Sequence, residues 1–168
     1  METPREIRYW VIKTREGRGG RDYWDRFFNE GVIAVGWEDI LVRPLQATLQ
    51  QLETSVREAY HGENRQYGAR VIKRFISIAI DDRVLICRGY APNQIHNVYV
   101  YGFATVTGSF YDDAASDWWA FKHTVDIRPI ERFVSLSIVR QSLDRQSLLQ
   151  TLHEVGRVGF QQLESQLP

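Results

Sequence analysis

The sequence predicts an α+β domain: a small, curved, mixed sheet, closed or nearly closed, with helices covering its ends. Three observations carry that expectation. The pattern runs strand, helix, strand, two helices, then several strands and a closing helical segment. No repeat or low-complexity tract interrupts it. The chain has 168 residues, of which 43% are hydrophobic and 12% aromatic, enough for one core at roughly 100–200 residues per domain. Residues 1–135 are expected to form the main body. Residues 136–168 are expected to be a helical segment packed on it within a single domain.

The first strand is Arg8-Tyr9-Trp10-Val11-Ile12-Lys13-Thr14, a β-branched and aromatic run ended by Gly17, Gly19 and Gly20. From Arg21 to Glu30, Trp24, Phe27 and Phe28 fall at helical spacing, with Asp22 favouring the helix dipole and Gly31 closing the helix. Val32-Ile33-Ala34-Val35-Gly36-Trp37 is a nearly continuous apolar run, so a buried strand, with Trp37 at its exit. Pro44 can open a helix along which Leu45, Leu49, Leu52, Val56 and Tyr60 share one face. After Gly62, Gln66–Phe75 forms a second, basic helix. Asp82–Tyr90 and Val98–Phe110 are strands joined by a turn at Ala91-Pro92-Asn93-Gln94, a hairpin. Phe121, His123, Val125 and Ile127 alternate with polar residues as in a half-buried strand, which Pro129 should limit. Leu148, Leu149, Leu152 and Val155, then Phe160, Leu163 and Leu167, indicate one or two closing helices.

Charge excludes some functions and localises others. Lys+Arg and Asp+Glu number 21 each, so no global field draws the chain to polyanions, and any nucleic-acid site must be local. Of the basic residues, all but Lys13, Lys73 and Lys122 are arginine, suited to planar contact with phosphates and to stacking on rings. The sign is segregated: Glu63–Tyr90 is basic, whereas Ser109–Asp126 carries Asp112, Asp113, Asp117 and Asp126 against Lys122. A single cysteine, Cys87, cannot close an internal disulfide, and the charged start Glu2–Arg8 is no secretion signal, so a cytoplasmic location is expected. No apolar run approaches the ~18 residues of a membrane span.

Several chemistries lack their residues. No Gly-Lys pair exists for a nucleotide-hydrolysing loop, and Asp22 stands where the third glycine of a dinucleotide fingerprint would fall. Val11, Val71 and Ala120, two residues before the three lysines, supply no acid for a metal-dependent nuclease core. His61, His96, His123 and His153 show no metal spacing, and Cys87 lies mid-strand as a packed small hydrophobe. Asp81-Asp82 and Asp112-Asp113 read as turn residues. The expectation is therefore a chain with no catalytic constellation, no metal and no cofactor.

What the sequence does offer is rings at strand exits: Trp37 after Gly36, Phe110-Tyr111 after Gly108-Ser109, and Trp118-Trp119 after an Asp/Ala/Ser loop. Facing rings can sandwich a planar base, with stacking worth roughly 1–3 kcal/mol per base. The plainer alternative is core packing, favoured for Trp10, Trp24, Phe27, Phe28 and Phe103.

Tyr9–Thr14, an amphipathic helix and Gly31–Trp37, followed by Asp82–Ile86, Val100–Asp112 and His123–Ile127, together resemble EVE-like domains of the PUA-like superfamily over roughly residues 8–135. The resemblance implies a PUA-like pseudo-barrel with a pocket for a flipped or unpaired modified nucleobase. In the related YTH domains a strand ends Ile-Lys-Ser, matched here by Ile12-Lys13-Thr14. Their first cage tryptophan follows the second strand, matched by Trp37, and another lies in the loop after the hairpin, matched by Trp118 or Trp119. Two departures are the insertion Arg15–Arg21 and Asp126-Ile127, where a tryptophan is common. The resemblance further implies a specificity module of a modification-dependent restriction system, whose nuclease domain or subunit lies outside this chain.

The expected function is recognition of 5-methyl- or 5-hydroxymethylcytosine, or a related modification, in double-stranded DNA by flipping the base into an aromatic cage. Trp37, Trp119 or Trp118, Tyr111 and Phe110 would supply the cage, and Lys13, Thr14 and Ser109 the base edge. Arg15, Arg18, Arg21, Arg65, Arg70 and Arg74 would hold phosphates. Two rivals stand beside it: a reader of modified RNA, and a protein–protein adaptor in a defence complex docking through Leu143–Leu167. A closed, packed surface at Trp37 would favour the adaptor.

Overall fold

The computed structural model describes residues 4–16, 20–61, 65–89, 96–143 and 150–168, apart from the Arg65 side chain. Seven strands and five helices are found among these residues. They are β1 (Tyr9–Lys13), α1 (Trp24–Glu30), β2 (Val32–Val35), α2 (Leu49–Ala59), α3 (Arg65–Ser77), β3 (Arg83–Cys87), β4 (Asn97–Val106), β5 (Tyr111–Asp112), β6 (Phe121–Ser135), α4 (Leu136–Ser142), β7 (Leu152–Val155) and α5 (Arg157–Gln166). The strands form one mixed sheet in the order β2-β6-β4-β3-β1-β7, with β5 also on β6. Only the β1–β3 pairing is parallel; β3–β4 is the antiparallel pair expected, though its turn at 91–94 lies outside the described residues.

Both faces of the sheet are covered, which explains why its inner strands are apolar runs. In β1, Trp10 and Ile12 join a core with Phe27, Ile33, Leu52, Ile72 and Phe75 beneath α1, α2 and α3. Tyr9 and Val11 point the other way, into a core with Leu85, Phe103, Val139, Phe160 and Leu163 beneath α4 and α5. Asp82 ties the strand ends together. Fully buried, it accepts hydrogen bonds from the Trp10 indole (3.0 Å), the backbone of Arg8 (3.0 Å) and Ala79 (3.1 Å), and the Arg5 guanidinium (2.9 Å). This is no solvated turn residue, although Asp81 beside it does turn, at φ 73°.

Four expectations are corrected. Pro129 does not end its strand: β6 continues to Ser135, because the register shifts between Val100 and Gly102 opposite it. A Cβ on Gly102 would lie 2.5 Å from the Arg128 carbonyl oxygen, so glycine admits the close approach at this bend. Leu152–Val155 is a strand, not part of a helix, since pairing with β1 overrides its helical spacing. The helix expected from Pro44 starts at Leu49, where Thr48 and Gln51 form a capping box, leaving Leu45 exposed. Phe28, expected in the core, is also exposed. No helix among the described residues is long and apolar enough to cross a membrane.

Candidate functional site

Beyond β2 the chain leaves the sheet at Gly36 and turns sharply at Trp37, whose backbone has φ 69°. A bulky side chain in this left-handed region costs about 1–2 kcal/mol, and such strain concentrates at functional positions. The ring is held where two elements make room. A Cβ on Gly68 of α3 would sit 2.9 Å from the Trp37 indole nitrogen, and one on Gly36 would sit 3.1 Å from that of Trp119. Glycine inside a helix costs about 0.5–1 kcal/mol relative to alanine, so at Gly68 helix propensity is given up for ring placement.

Trp37 and Trp119 line one cleft of about 640 Å³, with Tyr60 and Tyr67 as further walls. Tyr67 meets Trp37 edge-on at 6.4 Å between ring centres, and its hydroxyl accepts from the Thr151 backbone (2.7 Å) and donates to the Thr151 hydroxyl (3.0 Å). The Tyr60 hydroxyl accepts from the Asp39 backbone N–H at 3.1 Å and faces the Asp39 carboxylate at 3.3 Å. Burial, reinforced by nearby carboxylates, pushes its pKa up to about 12. Trp119 is braced from behind by Tyr23 (4.7 Å between ring centres), whose hydroxyl donates to Glu16 at 2.8 Å.

The rim combines one cation with three carboxylates: Arg15, Glu16, Glu38 and Asp39. The Glu38 carboxyl is held above its usual range by burial, and by the negative charges of Asp39, Glu16 and Asp112. The buried Nε–H of Arg15 has no partner among the described residues. At Tyr67 the cleft abuts a groove of about 170 Å³ lined by Arg70, Arg74 and Gln150. There Arg74 donates to Gln150 at 2.9 Å.

Of the residues expected to hold the base, the structure brings Trp37 and Trp119 together and places the others elsewhere. Trp118 donates its indole N–H to Glu30 (2.9 Å) beneath Lys122, whose ammonium lies 4.6 Å from the ring centre. It braces α1 against β6 and does not line the cleft. Phe110 packs on Phe75, Phe121 and His123, over a separate groove beside Pro44 and Leu45. Tyr111 sits in β5 paired with Lys122, and Ser109 precedes that pair, exposed. Lys13 follows Tyr9 and Val11 onto the opposite sheet face beside Cys87; burial lowers its pKa to about 8, and Cys87 is pushed up to about 12. The Thr14 hydroxyl donates to Asp22 (2.7 Å), which also receives the Trp24 N–H (3.0 Å) and the Tyr101 hydroxyl. Thr14 therefore fixes the Arg15–Asp22 bridge.

Among the expected phosphate contacts, Arg15 reaches the cleft, Arg70 and Arg74 line the adjoining groove, and Arg21 stacks on Tyr23 at 5.4 Å. Arg18 and the Arg65 side chain lie outside the described residues. Tyr60 reads from sequence only as part of a helix face, and Tyr67, Gly68, Glu38 and Asp39 are not singled out. For the last two a signal existed, since they directly follow Trp37. Among the described residues, no group of three His, Cys, Asp or Glu is placed to hold a metal ion.

No family model matches the chain, and no curated protein does. Solved structures do. The YTH domain of Zygosaccharomyces rouxii MRB1, in complex with N6-methyladenosine RNA, matches with TM-score 0.50 and 11% identity over 99% of this chain and 90% of that one. A hypothetical protein from Leishmania major matches with TM-score 0.48 and 13% identity over 97% and 98%. Human THYN1, in complex with DNA containing 5-methylcytosine, matches with TM-score 0.43 and 12% identity over 95% and 96%. The fold is PUA-like. At 11% identity the likeness to the YTH domain is one of fold alone.

Proposed function

We propose that this chain reads a modified nucleobase, taken out of its stack into the cleft between Trp37 and Trp119. The observation that carries the proposal is the cost accepted to build that cleft. A tryptophan is held at φ 69°, and glycines lie under both indoles, one of them inside a helix. The cleft reaches the surface at the half-buried Trp37, while Trp119 is itself buried and borders it from the core side. Its size suits a planar ring of base dimensions, and flipping costs a few kcal/mol, so stacking is supplemented by phosphate contacts. Arg70 and Arg74 in the adjoining groove, with Arg15 at the rim, are positioned for them.

Within this proposal the base is 5-methyl- or 5-hydroxymethylcytosine, or a related modification, in double-stranded DNA. The chain serves as the specificity module of a modification-dependent restriction system of the EVE-like type and performs no chemistry itself, the nuclease lying elsewhere. A second possibility, modified RNA, is favoured by the fold shared with a YTH domain solved with N6-methyladenosine RNA. Titration of duplexes and RNAs differing in one modified base, for the parent and Trp37→Ala, decides. A preference for the modified strand that Trp37→Ala abolishes supports a reader, and the polymer bound more tightly names the class. Equal affinity of Trp37→Ala and the parent overturns it.

A further inference from the structure

Resting on the base-reader proposal, we infer that Glu38, flanked by Glu16 and Asp39, reads the edge of the bound base and selects bases carrying an exocyclic amino group over uracil- or thymine-type bases. The rings bind any planar base, because each has a π-face; discrimination must come from polar groups beside them. Of the charged groups that line this cleft, three are carboxylates, Glu16, Glu38 and Asp39, and one is the Arg15 guanidinium. Asp39 is engaged with Tyr60, and Glu16 receives Tyr23. The Glu38 carboxylate accepts from its own backbone N–H and has neither an ion pair nor a side-chain donor among the described residues. It also immediately follows Trp37, so the turn that aims the indole into the cleft fixes the start of Glu38 as well.

An ionised carboxylate accepts hydrogen bonds and donates none. Cytosine and adenine offer it an amino N–H, and a carboxylate accepting from the cytosine amino group is an established pairing. Thymine and uracil present at the same place a carbonyl oxygen, lone pair against lone pair. Their one edge donor, N3–H, is flanked by two carbonyls. The raised pKa of Glu38 has the same origin as this demand: a partly buried carboxyl among like charges gains from any donor brought to it. The three rim carboxylates repel phosphates, which are left to Arg15 and to the Arg70 and Arg74 side of Tyr67. The charge arrangement thus orients the nucleotide, base inward at the carboxylates and backbone outward at the arginines.

The test uses two single-stranded oligonucleotides of one sequence, carrying 5-methylcytosine or thymine at one position. Both bases bear the 5-methyl group and stack alike, and single strands remove the difference in pairing. Affinities are read by tryptophan fluorescence for the parent, Glu38→Gln, Glu16→Gln, Asp39→Asn and Trp37→Ala. Glu38 is exposed enough for the amide to be tolerated. The expected result is at least tenfold tighter binding of 5-methylcytosine by the parent, falling below threefold in Glu38→Gln. Equal parental affinities, with both strands lost in Trp37→Ala, overturn this inference and leave the base reader standing. Selectivity that survives in Glu38→Gln overturns the role of Glu38. The same pair is also titrated as duplexes; if neither base is bound in either form, or Trp37→Ala changes nothing, the base reader fails and this inference falls with it.

Discussion

Gly68→Ala separates the cleft from the stability of the fold. The new methyl group would sit 2.9 Å from the Trp37 indole nitrogen and 3.1 Å from Cγ1 of Val56. Carbon contacts are optimal at about 3.5–4.0 Å, so the indole must retreat by roughly 0.6–1 Å. Helix α3 itself gains about 0.5–1 kcal/mol from replacing an interior glycine, which offsets the local crowding. The net change in folding stability is therefore small, within about 1 kcal/mol of zero. Binding has no such compensation. Stacking is worth about 1–3 kcal/mol per base, and a ring displaced toward the cleft loses much of it. A loss of 1–2 kcal/mol corresponds to roughly 5–30-fold weaker binding, at 1.4 kcal/mol per tenfold. The assay pairs a thermal melt with a fluorescence titration against the modified oligonucleotide. A Gly68→Ala protein that melts like the parent and binds within twofold of it refutes the assigned role of the Trp37 ring. A large loss of stability refutes the claim that the crowding is local.

The strain at Trp37 gives a second expectation: Trp37→Gly and Trp37→Ala lose the same ring contacts, but only glycine adopts φ 69° without penalty. The glycine variant should be more stable by about 1 kcal/mol in urea unfolding; equal midpoints would show that the turn relaxes once the ring is gone. Asp82→Ala leaves the buried Trp10 N–H and the Ala79 backbone N–H without their acceptor. It should cost roughly 2–5 kcal/mol by the same measurement, at about 1–3 kcal/mol per orphaned donor, and a cost below 1 kcal/mol would show that these groups reach water. Lys13, with its pKa lowered to about 8 from 10.5, binds its proton less tightly folded than unfolded. Its burial penalty is fully present below pH 8 and is relieved as pH rises from there toward 10.5, by at most about 1.4 kcal/mol per pH unit. Cys87, raised to about 12 from 9.0, opposes this above pH 9, so the comparison is made in Cys87→Ala. There, stability should rise between pH 8 and 10 relative to Cys87→Ala/Lys13→Met, and a flat difference would mean that Lys13 titrates normally.

Much of the fold was legible because its strands announce themselves locally. Val32–Val35 and residues 84–87 are apolar runs, and both are buried, the first at the edge of the sheet and the second in its interior. What was not legible depended on partners distant in sequence. Leu152–Val155 has helical spacing and becomes a strand through β1, and Pro129 is carried inside β6 by Gly102 opposite it. The site divided in the same way. Trp37 and Trp119 could be found as rings beside glycines and loops. Phe110, Tyr111 and Trp118 carry the same local signature, yet are drawn off by Phe75, Lys122 and Glu30. Tyr60, Tyr67 and Gly68 sit on or beside helices whose position over the cleft only the tertiary fold decides.

The zero net charge takes on a different meaning once these residues are placed. Equal numbers of acids and bases suggest a surface indifferent to nucleic acid, but around the cleft they are sorted, with Glu16, Glu38 and Asp39 at the rim and Arg70 and Arg74 across Tyr67. A strongly basic face would hold any nucleic acid through its phosphates, and the base in the cleft would contribute little to discrimination. On the proposed reading, two arginines in the groove and Arg15 beside three rim carboxylates would hold a strand only weakly through its phosphates. Occupancy would then depend on stacking and on the edge of the base, and selectivity would come from limiting the unspecific term as much as from strengthening the specific one.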